Sequence, residues 1–173
     1  MPRAPRIQPK KLPGAGTGQA APPNILGTVA HHPSLLEPLL RFSAALAGGV
    51  LPRRSSELLA LRAAWNCRSP FEWGHHAVYA RDAEMTADEI QRVAAGPEAP
   101  GWSELDALLL RVADQLHAGQ DVDDETWEAL ARHYDEAQLV EIPFVVGQYT
   151  MLSMVANATA VPLEPGLPEL PRD

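Results

Sequence analysis

Arg53-Arg54-Ser55-Ser56-Glu57-Leu58-Leu59-Ala60-Leu61-Arg62-Ala63-Ala64-Trp65-Asn66 is the stretch that decides the fold class of this chain. It holds good helix formers and no internal glycine or proline, which predicts a helix of about four turns. Leucine and alanine occur nearly all round that helix, not along one stripe, so it should be central and buried. An acid inside it is therefore conspicuous. Glu57 stands next to Leu58 and one turn before Leu61, and a carboxylate near a core normally has a partner or a raised pKa. It also lies in the first turn, where the helix dipole alone favours an acid. On sequence, both readings stand.

Outward from this segment the pattern stays helical. Ser34 and Glu37 have capping-box spacing and open a helix to about Ala47, closed by Gly48-Gly49. Pro70 starts a helix that carries Phe71 to about Arg81. Thr86 and Glu89 form another capping box, and Gly96-Pro97 end that short element. Leu105, Leu108, Leu109, Val112 and Leu116 repeat at three and four up to Gly119. Asp123 or Asp124 caps a helix bearing Trp127, Leu130 and Ala131. Asp135 and Gln138 open the last one, running through Val145, Val146, Met151 and Val155 towards Val161. Pro143 should kink it or mark a late start. No alternating β-branched run competes. The expectation is an all-α bundle of about six to seven helices over residues 24–161.

The flanks differ in composition. Residues 1–23 are rich in Pro, Gly, Ala and basic side chains, which predicts an extended tail with little to bury. If that tail is ordered, a neighbouring subunit is the natural surface for it. Residues 162–173 carry Pro162, Pro165, Pro168 and Pro171 and should run extended over the surface.

Composition excludes several classes. A net charge of −8 repels a phosphate backbone, so nucleic acid is not an expected partner. Arg62, Arg111, Glu141 and Gln148 interrupt the apolar runs before about 20 residues, so no membrane span is expected. Arg3, Arg6, Lys10 and Lys11 precede no apolar stretch, unlike a secretory signal. The lone Cys67 cannot form an internal disulfide and suits a reducing compartment. A cytoplasmic protein is the expectation.

The chemistry concentrates in Cys67-Arg68-Ser69-Pro70-Phe71-Glu72-Trp73-Gly74-His75-His76. On a helix, Glu72 and His76 share one face, so the carboxylate can orient an imidazole suited to general acid/base work. The same spacing arises by chance on inert solvated faces. Phe71, Trp73 and Gly74 make this stretch more apolar than such a face should be. His75 points about 100° away from His76, so the two do not readily serve one metal. Glu72-x-x-His75 and Asp114-x-x-His117, with Glu57 and Glu141, have the spacing of a di-iron bundle, but Asp114 and His117 fall off their apolar stripe. No metal or cofactor is expected. Tyr149 and Gln148 either line a pocket or satisfy one another.

Three runs carry a family resemblance: residues 51–62, Phe71-Glu72-Trp73-Gly74-His75-His76, and Met85-Thr86-Ala87-Asp88-Glu89-Ile90. They resemble the carboxymuconolactone decarboxylase / alkyl hydroperoxidase D-like family. Gly147-Gln148-Tyr149-Thr150-Met151, within residues 139–157, is similar to the closing helix of uncharacterised relatives. The resemblance spans roughly residues 24–170. It implies a hydroperoxidase D-like bundle whose second and third helices form a hairpin bringing Glu57 close to His76. It also implies a homo-oligomer, a trimer, hexamer or dimer. The hydroperoxidase branch uses Cys-x-x-Cys-x-x-x-His; aligning its histidine with His76 puts Ser69 and Glu72 at the cysteine positions. Both redox sulfurs are absent, so disulfide cycling has no chemical basis here. The decarboxylase branch resembles the chain at Glu72, four residues before the histidine.

The function expected from all this is a cofactor-independent acid/base enzyme acting on a small organic acid, lactone or related carbonyl compound. His76 would be the acid/base, Glu72 its orienter or co-catalyst and Glu57 a second proton acceptor. Phe71, Trp73, His75 and Tyr149 would shape the pocket. Two alternatives remain, a redox role for Cys67 with an external thiol and a non-catalytic binding protein on the same fold.

Overall fold

The computed structural model describes residues 4–12 and 22–172. Among these there are eight helices and no strand: α1 (Asn24–Val29), α2 (Pro33–Ala47), α3 (Arg53–Asn66), α4 (Pro70–Asp82), α5 (Ala87–Ala95), α6 (Glu104–Gly119), α7 (Asp124–Ala131) and α8 (Glu136–Thr159). The all-α expectation holds, with one more helix than anticipated. The addition, α1, is six residues long and too short to leave a periodic signal.

Helix α3 is the hub, packing against α4, α5, α6 and α8. Leu58, Leu59, Ala60, Leu61, Ala63 and Ala64 are all fully buried, as an all-round apolar helix requires. Two arginines on α3 fix its neighbours. Arg54 donates to Glu89 of α5 at 2.6 Å and to Asp106 of α6 at 2.9 Å. Arg62 donates to Asp114 of α6 at 2.6 Å and to the Val93 carbonyl at 2.7 Å. Each guanidinium thus answers carboxylates or carbonyls that partial burial would otherwise leave costly.

Most local signals act as expected. Thr86 with Glu89, and Asp135 with Gln138, form complete capping boxes. Asp123, not Asp124, caps α7. Ser103 caps α6 by accepting from the Asp106 N–H. The Ser34–Glu37 box does not form. Pro33 takes the first helical position, which moves Ser34 inside the helix, where its hydroxyl meets His32 instead. Pro143 marks no late start, because α8 runs through it for 24 residues. By length and composition α8 could cross a bilayer, although Glu141 and Gln148 argued otherwise. Here its inner face, including Ile142, Val145 and Val146, joins the α3 core.

Both flanks are tied to the chain's own helices. The Arg6 N–H donates to the Thr159 carbonyl and the Lys10 N–H to that of Gly27, each at 2.9 Å. The described part of the N-terminal tail therefore lies on its own subunit, a correction to the neighbour-held tail; residues 1–3 and 13–21 fall outside the described ones. The C-terminal segment is more than a surface run. Residues 160–172 form a half-buried strap over α4. It lies so close that a Cβ on Gly74 would meet the Leu163 side chain and, at 3.1 Å, the Pro168 carbonyl.

Candidate active site

The α3–α4 hairpin places Glu57 and His76 together, both 4% exposed. Glu57 Oε2 lies 2.7 Å from His76 Nδ1, and its other oxygen is ion-paired with Arg53, 2.9 Å from Nε. A carboxylate can only accept, so Nδ1 carries the hydrogen and Nε2 is the free, basic nitrogen. That nitrogen faces Glu72 Oε2 at 3.8 Å, beyond hydrogen-bond reach. Glu72 Oε1 is buried with no hydrogen-bond partner. Burial pushes the Glu72 carboxyl above its ordinary range, a rise that His76 and then His75 oppose. The arrangement is linear: a gripped carboxylate, an imidazole of fixed tautomer, then a carboxyl biased towards its neutral form.

This order differs from the one the helix spacing suggested. The i,i+4 partner Glu72 is the distant neighbour, and Glu57 from the preceding helix is the group that orients His76. An i,i+4 placement puts side chains on one face but does not fix their distance. The local reason is that Glu72 sits in the first turn of α4, after the Ser69 cap that accepts from its own N–H at 3.4 Å.

A cavity of about 440 Å3 opens beside the triad, lined by Arg53, Ser56, Glu57, Tyr79 and Tyr149 and by the apolar Leu46, Ala47 and Leu51. This is a volume suited to a small ligand. Glu57 is on the cavity wall and His76 lies behind it, under the edges of Tyr149 and Tyr79 at 4.1 and 5.5 Å between ring centroids. Burial and the nearby Glu57 and Glu72 push both tyrosine hydroxyls up, so they remain neutral donors. Glu141 sets one rim of the cavity. Its carboxylate accepts from the Val50 N–H at 2.6 Å and the Leu51 N–H at 3.3 Å, and it packs on Gly49 where a Cβ would collide. A second hollow of about 450 Å3 lies between α6, α7 and α8, lined by Val112, Leu116, Trp127 and Ile142 among others, and includes no member of the triad.

Of the residues expected to shape the pocket, Tyr149 lines it and three do not. Trp73 is completely buried against Trp65, with its indole N–H unpaired. Phe71 belongs to a separate apolar cluster with Ile25, Leu152 and Ala156. His75 turns to the strap, where its Nε2 lies 2.8 Å from Glu164 Oε2, and its ring contacts Phe71. All three sit on α4 flanks that face other elements. Arg53 and Tyr79 went unremarked, yet both signals were present: Arg53 is four residues before Glu57, and Tyr79 continues the 72–76 face.

The remaining polar candidates are occupied elsewhere. Asp114 holds Arg62 and Asn66, and Glu141 holds the loop before α3, so neither approaches the di-iron arrangement. Among the described residues no group of three or more His, Cys, Asp or Glu side chains is placed to hold a metal. Cys67 is half-buried, and burial raises its thiol, the opposite of what a reactive thiolate needs.

Comparison with known proteins agrees with this architecture. A protein of unknown function from Agrobacterium tumefaciens, suggested to be the antioxidant-defence protein AhpD, superposes with a TM-score of 0.73 at 18% identity, covering 79% of this chain and 94% of that one. An uncharacterised peroxidase-related protein from Silicibacter sp. TM1040 gives 0.75 at 17% identity, over 84% and 78%. The debrominase Bmp8, solved as a cysteine-to-alanine variant with 2,3,4-tribromopyrrole, gives 0.72 at 15% identity, over 92% and 91%. Identities this low establish the shared fold alone. No functionally curated protein matches the sequence. The sequence model of the Carboxymuconolactone decarboxylase family matches residues 33–115, a span that includes Arg53, Glu57, Glu72, His76 and Tyr79. Over residues 33–115 the chain matches the carboxymuconolactone decarboxylase family, and its fold is that of the AhpD-like structures.

Proposed function

We propose that this protein is a cofactor-independent acid/base enzyme that moves a proton on a small organic acid, lactone or related carbonyl compound. One observation carries the reading: Glu57, His76 and Glu72 form a buried line that starts at a cavity wall and ends at a carboxyl biased towards its protonated form. Glu57 is the group that meets substrate. As a base it takes a proton from carbon adjacent to a carbonyl; as an acid it returns one.

For a decarboxylation, the C–C bond to the departing carboxylate breaks and its electron pair passes into the conjugated carbonyl. Carbon dioxide leaves, and the resulting dienolate needs one proton. His76 passes its Nδ1 proton to Glu57, which delivers it to carbon and is a carboxylate again, and Glu72 re-protonates the imidazole at Nε2. Closing the 3.8 Å gap takes a side-chain movement of about 1 Å. A group poised to accept and donate in this way is worth roughly 10²–10⁴ in rate. For an isomerisation the same Glu57 removes and replaces the proton, and the relay stays in reserve.

The cysteine-based alternative gains no support from the site, because Cys67 does not line the cavity. We also propose that the chain is a homo-oligomer. Helix α2 has no buried residue despite six leucines and phenylalanines, and Val140, Phe144, Met151 and Met154 form an exposed apolar row on α8.

The test is turnover on a panel of unsaturated lactone acids and β-keto acids, read as carbon dioxide release and as deuterium uptake from heavy water. Wild type should process at least one member. Glu57→Gln and His76→Gln should each lower that rate at least a hundredfold while remaining folded. Undiminished turnover in either variant removes the relay from the reaction.

A further inference from the structure

Three arginines project from α3, and they are used differently. Arg54 is committed to Glu89 and Asp106, and Arg62 to Asp114 and two carbonyls. Arg53 alone opens on the cavity. Its side chain is 51% exposed and ion-paired with Glu57, Nε lying 2.9 Å from the carboxylate. Among the described residues neither terminal Nη amino group donates a hydrogen bond to a carboxylate or carbonyl. The guanidinium carbon lies 5.9 Å from the centre of the Tyr79 ring, so the group is held along an aromatic wall.

We propose that Arg53 is the substrate-anchoring residue of this cavity, and that the substrate is a compact, flat, unsaturated monocarboxylate. The Nη pair forms a planar fork that matches a carboxylate through two parallel hydrogen bonds. With Nε on Glu57 and the fork on substrate, one guanidinium fixes both the base and the molecule it acts upon. That shared anchor sets the distance from the carboxylate to the reacting carbon, which is where proximity contributes to rate. The rest of the cavity describes the remainder of the ligand. Tyr79 and Tyr149 offer aromatic faces to a conjugated body, and Leu46, Ala47 and Leu51 offer an apolar end. A phosphate fits less well, because the adjacent Glu57 carboxylate already neutralises much of the guanidinium charge and repels a dianion. This assignment rests on Glu57 being the proton-transfer group.

Binding is measured separately from turnover. The full-length chain is titrated by NMR with benzoate, with its neutral isostere benzamide and with inorganic phosphate, in wild type, Arg53→Gln, Arg53→Lys and His76→Gln. Benzoate should bind wild type, shift the Arg53 Nε and Tyr79 signals, and bind at least tenfold tighter than benzamide or phosphate. Arg53→Gln should lose tenfold or more of that affinity, with a backbone spectrum that shows it folded, and Arg53→Lys should recover part of it. His76→Gln should bind benzoate within twofold of wild type. No benzoate binding, equal affinity in Arg53→Gln, or benzamide or phosphate binding as well as benzoate would each overturn the anchor. Retained turnover in His76→Gln with Arg53-dependent benzoate binding would instead remove the relay and leave the anchor standing.

Discussion

Glu57 on α3 grips His76 on α4 at 2.7 Å, so the imidazole is oriented from the neighbouring helix and not from the acid one turn away on its own. The consequence is a fixed tautomer, with the hydrogen on Nδ1 and a basic Nε2 aimed at Glu72. Nitrogen NMR of His76 should show that tautomer as the dominant one of the neutral ring. Glu57→Gln presents either an amide N–H or a weaker neutral oxygen to Nδ1, so the population should become mixed. An unchanged tautomer ratio in the variant means that something other than Glu57 sets the ring.

Glu72 links the relay to stability. Burial raises its carboxyl in the folded state, so the folded protein holds this proton more tightly than the unfolded chain does. Stability therefore falls as pH rises from the ordinary carboxylate value of about 4.3 to the higher folded value, and stays lower above it. Glu72→Gln is neutral at every pH and removes that slope. It should match wild type near pH 4 and exceed it at pH 7, by about 1 kcal/mol for relief of a strained buried acid. Urea unfolding at both pH values measures this. A variant that is less stable than wild type at pH 7 contradicts it.

What the sequence disclosed follows the range of each interaction. Thr86 with Glu89 and Asp135 with Gln138 are three residues apart, and their capping boxes were legible because the partners are local. The all-round apolar character of residues 53–66 was enough to make α3 the hub. The approach of Glu57 to His76 came from family resemblance, since periodicity alone does not say which helices form a hairpin. Glu164 was out of reach: its partner His75 is 89 residues away, on a strap whose prolines advertised only extension. Trp73 misled for a related reason. Its neighbours in sequence marked a site, but the side chain leaves α4 towards Trp65 and the core.

The strap carries its own titration. Glu164 Oε1 accepts from the Asn24 N–H at 2.6 Å and Oε2 faces His75 at 2.8 Å. Burial opposes ionisation there, but the His75 and Asn24 contacts outweigh it and the carboxyl sits below its ordinary range. A lowered folded-state pKa contributes stability above about pH 4.3, and that contribution disappears as pH falls through the folded value. The Asn24 amide proton shift should therefore titrate with a midpoint below about 4.3, and Glu164→Gln should abolish the step. A midpoint at or above the ordinary value refutes the hold of His75 and Asn24 on Glu164.

Arg54 joins three helices, and its removal should show in the unfolding free energy. Arg54→Met leaves the buried Asp106 and the half-buried Glu89 without their cation. The expected loss is about 2 kcal/mol, taken below the full value of charged hydrogen bonds because Arg54 is a third exposed and screened by solvent. The Arg54 guanidinium and the Thr86 N–H hold the Glu89 carboxyl down to about 2, so the loss should shrink as pH falls towards that value. A penalty that persists undiminished at pH 2 means the arginine acts through its aliphatic stem instead.

The row on α8 bears on assembly. Val140, Phe144, Met151 and Met154 are between 44 and 64% exposed, and Phe42 of α2 meets Phe144 edge-on at 5.9 Å, so two helices share one apolar face. Leaving such a face in water costs roughly 25 cal/mol per Å2 of apolar area that a second copy could cover. Phe144→Glu with Met151→Glu places two like charges on that face, and burying either unpaired is far more costly than the apolar contact is favourable. Sedimentation should show wild type as an oligomer and the double variant as a folded monomer. The exposed starting positions keep the substitution from damaging the core, so a change in size with an unchanged helical spectrum locates the contact. A wild-type monomer at micromolar concentration, or a double variant of undiminished size, places the partner surface elsewhere.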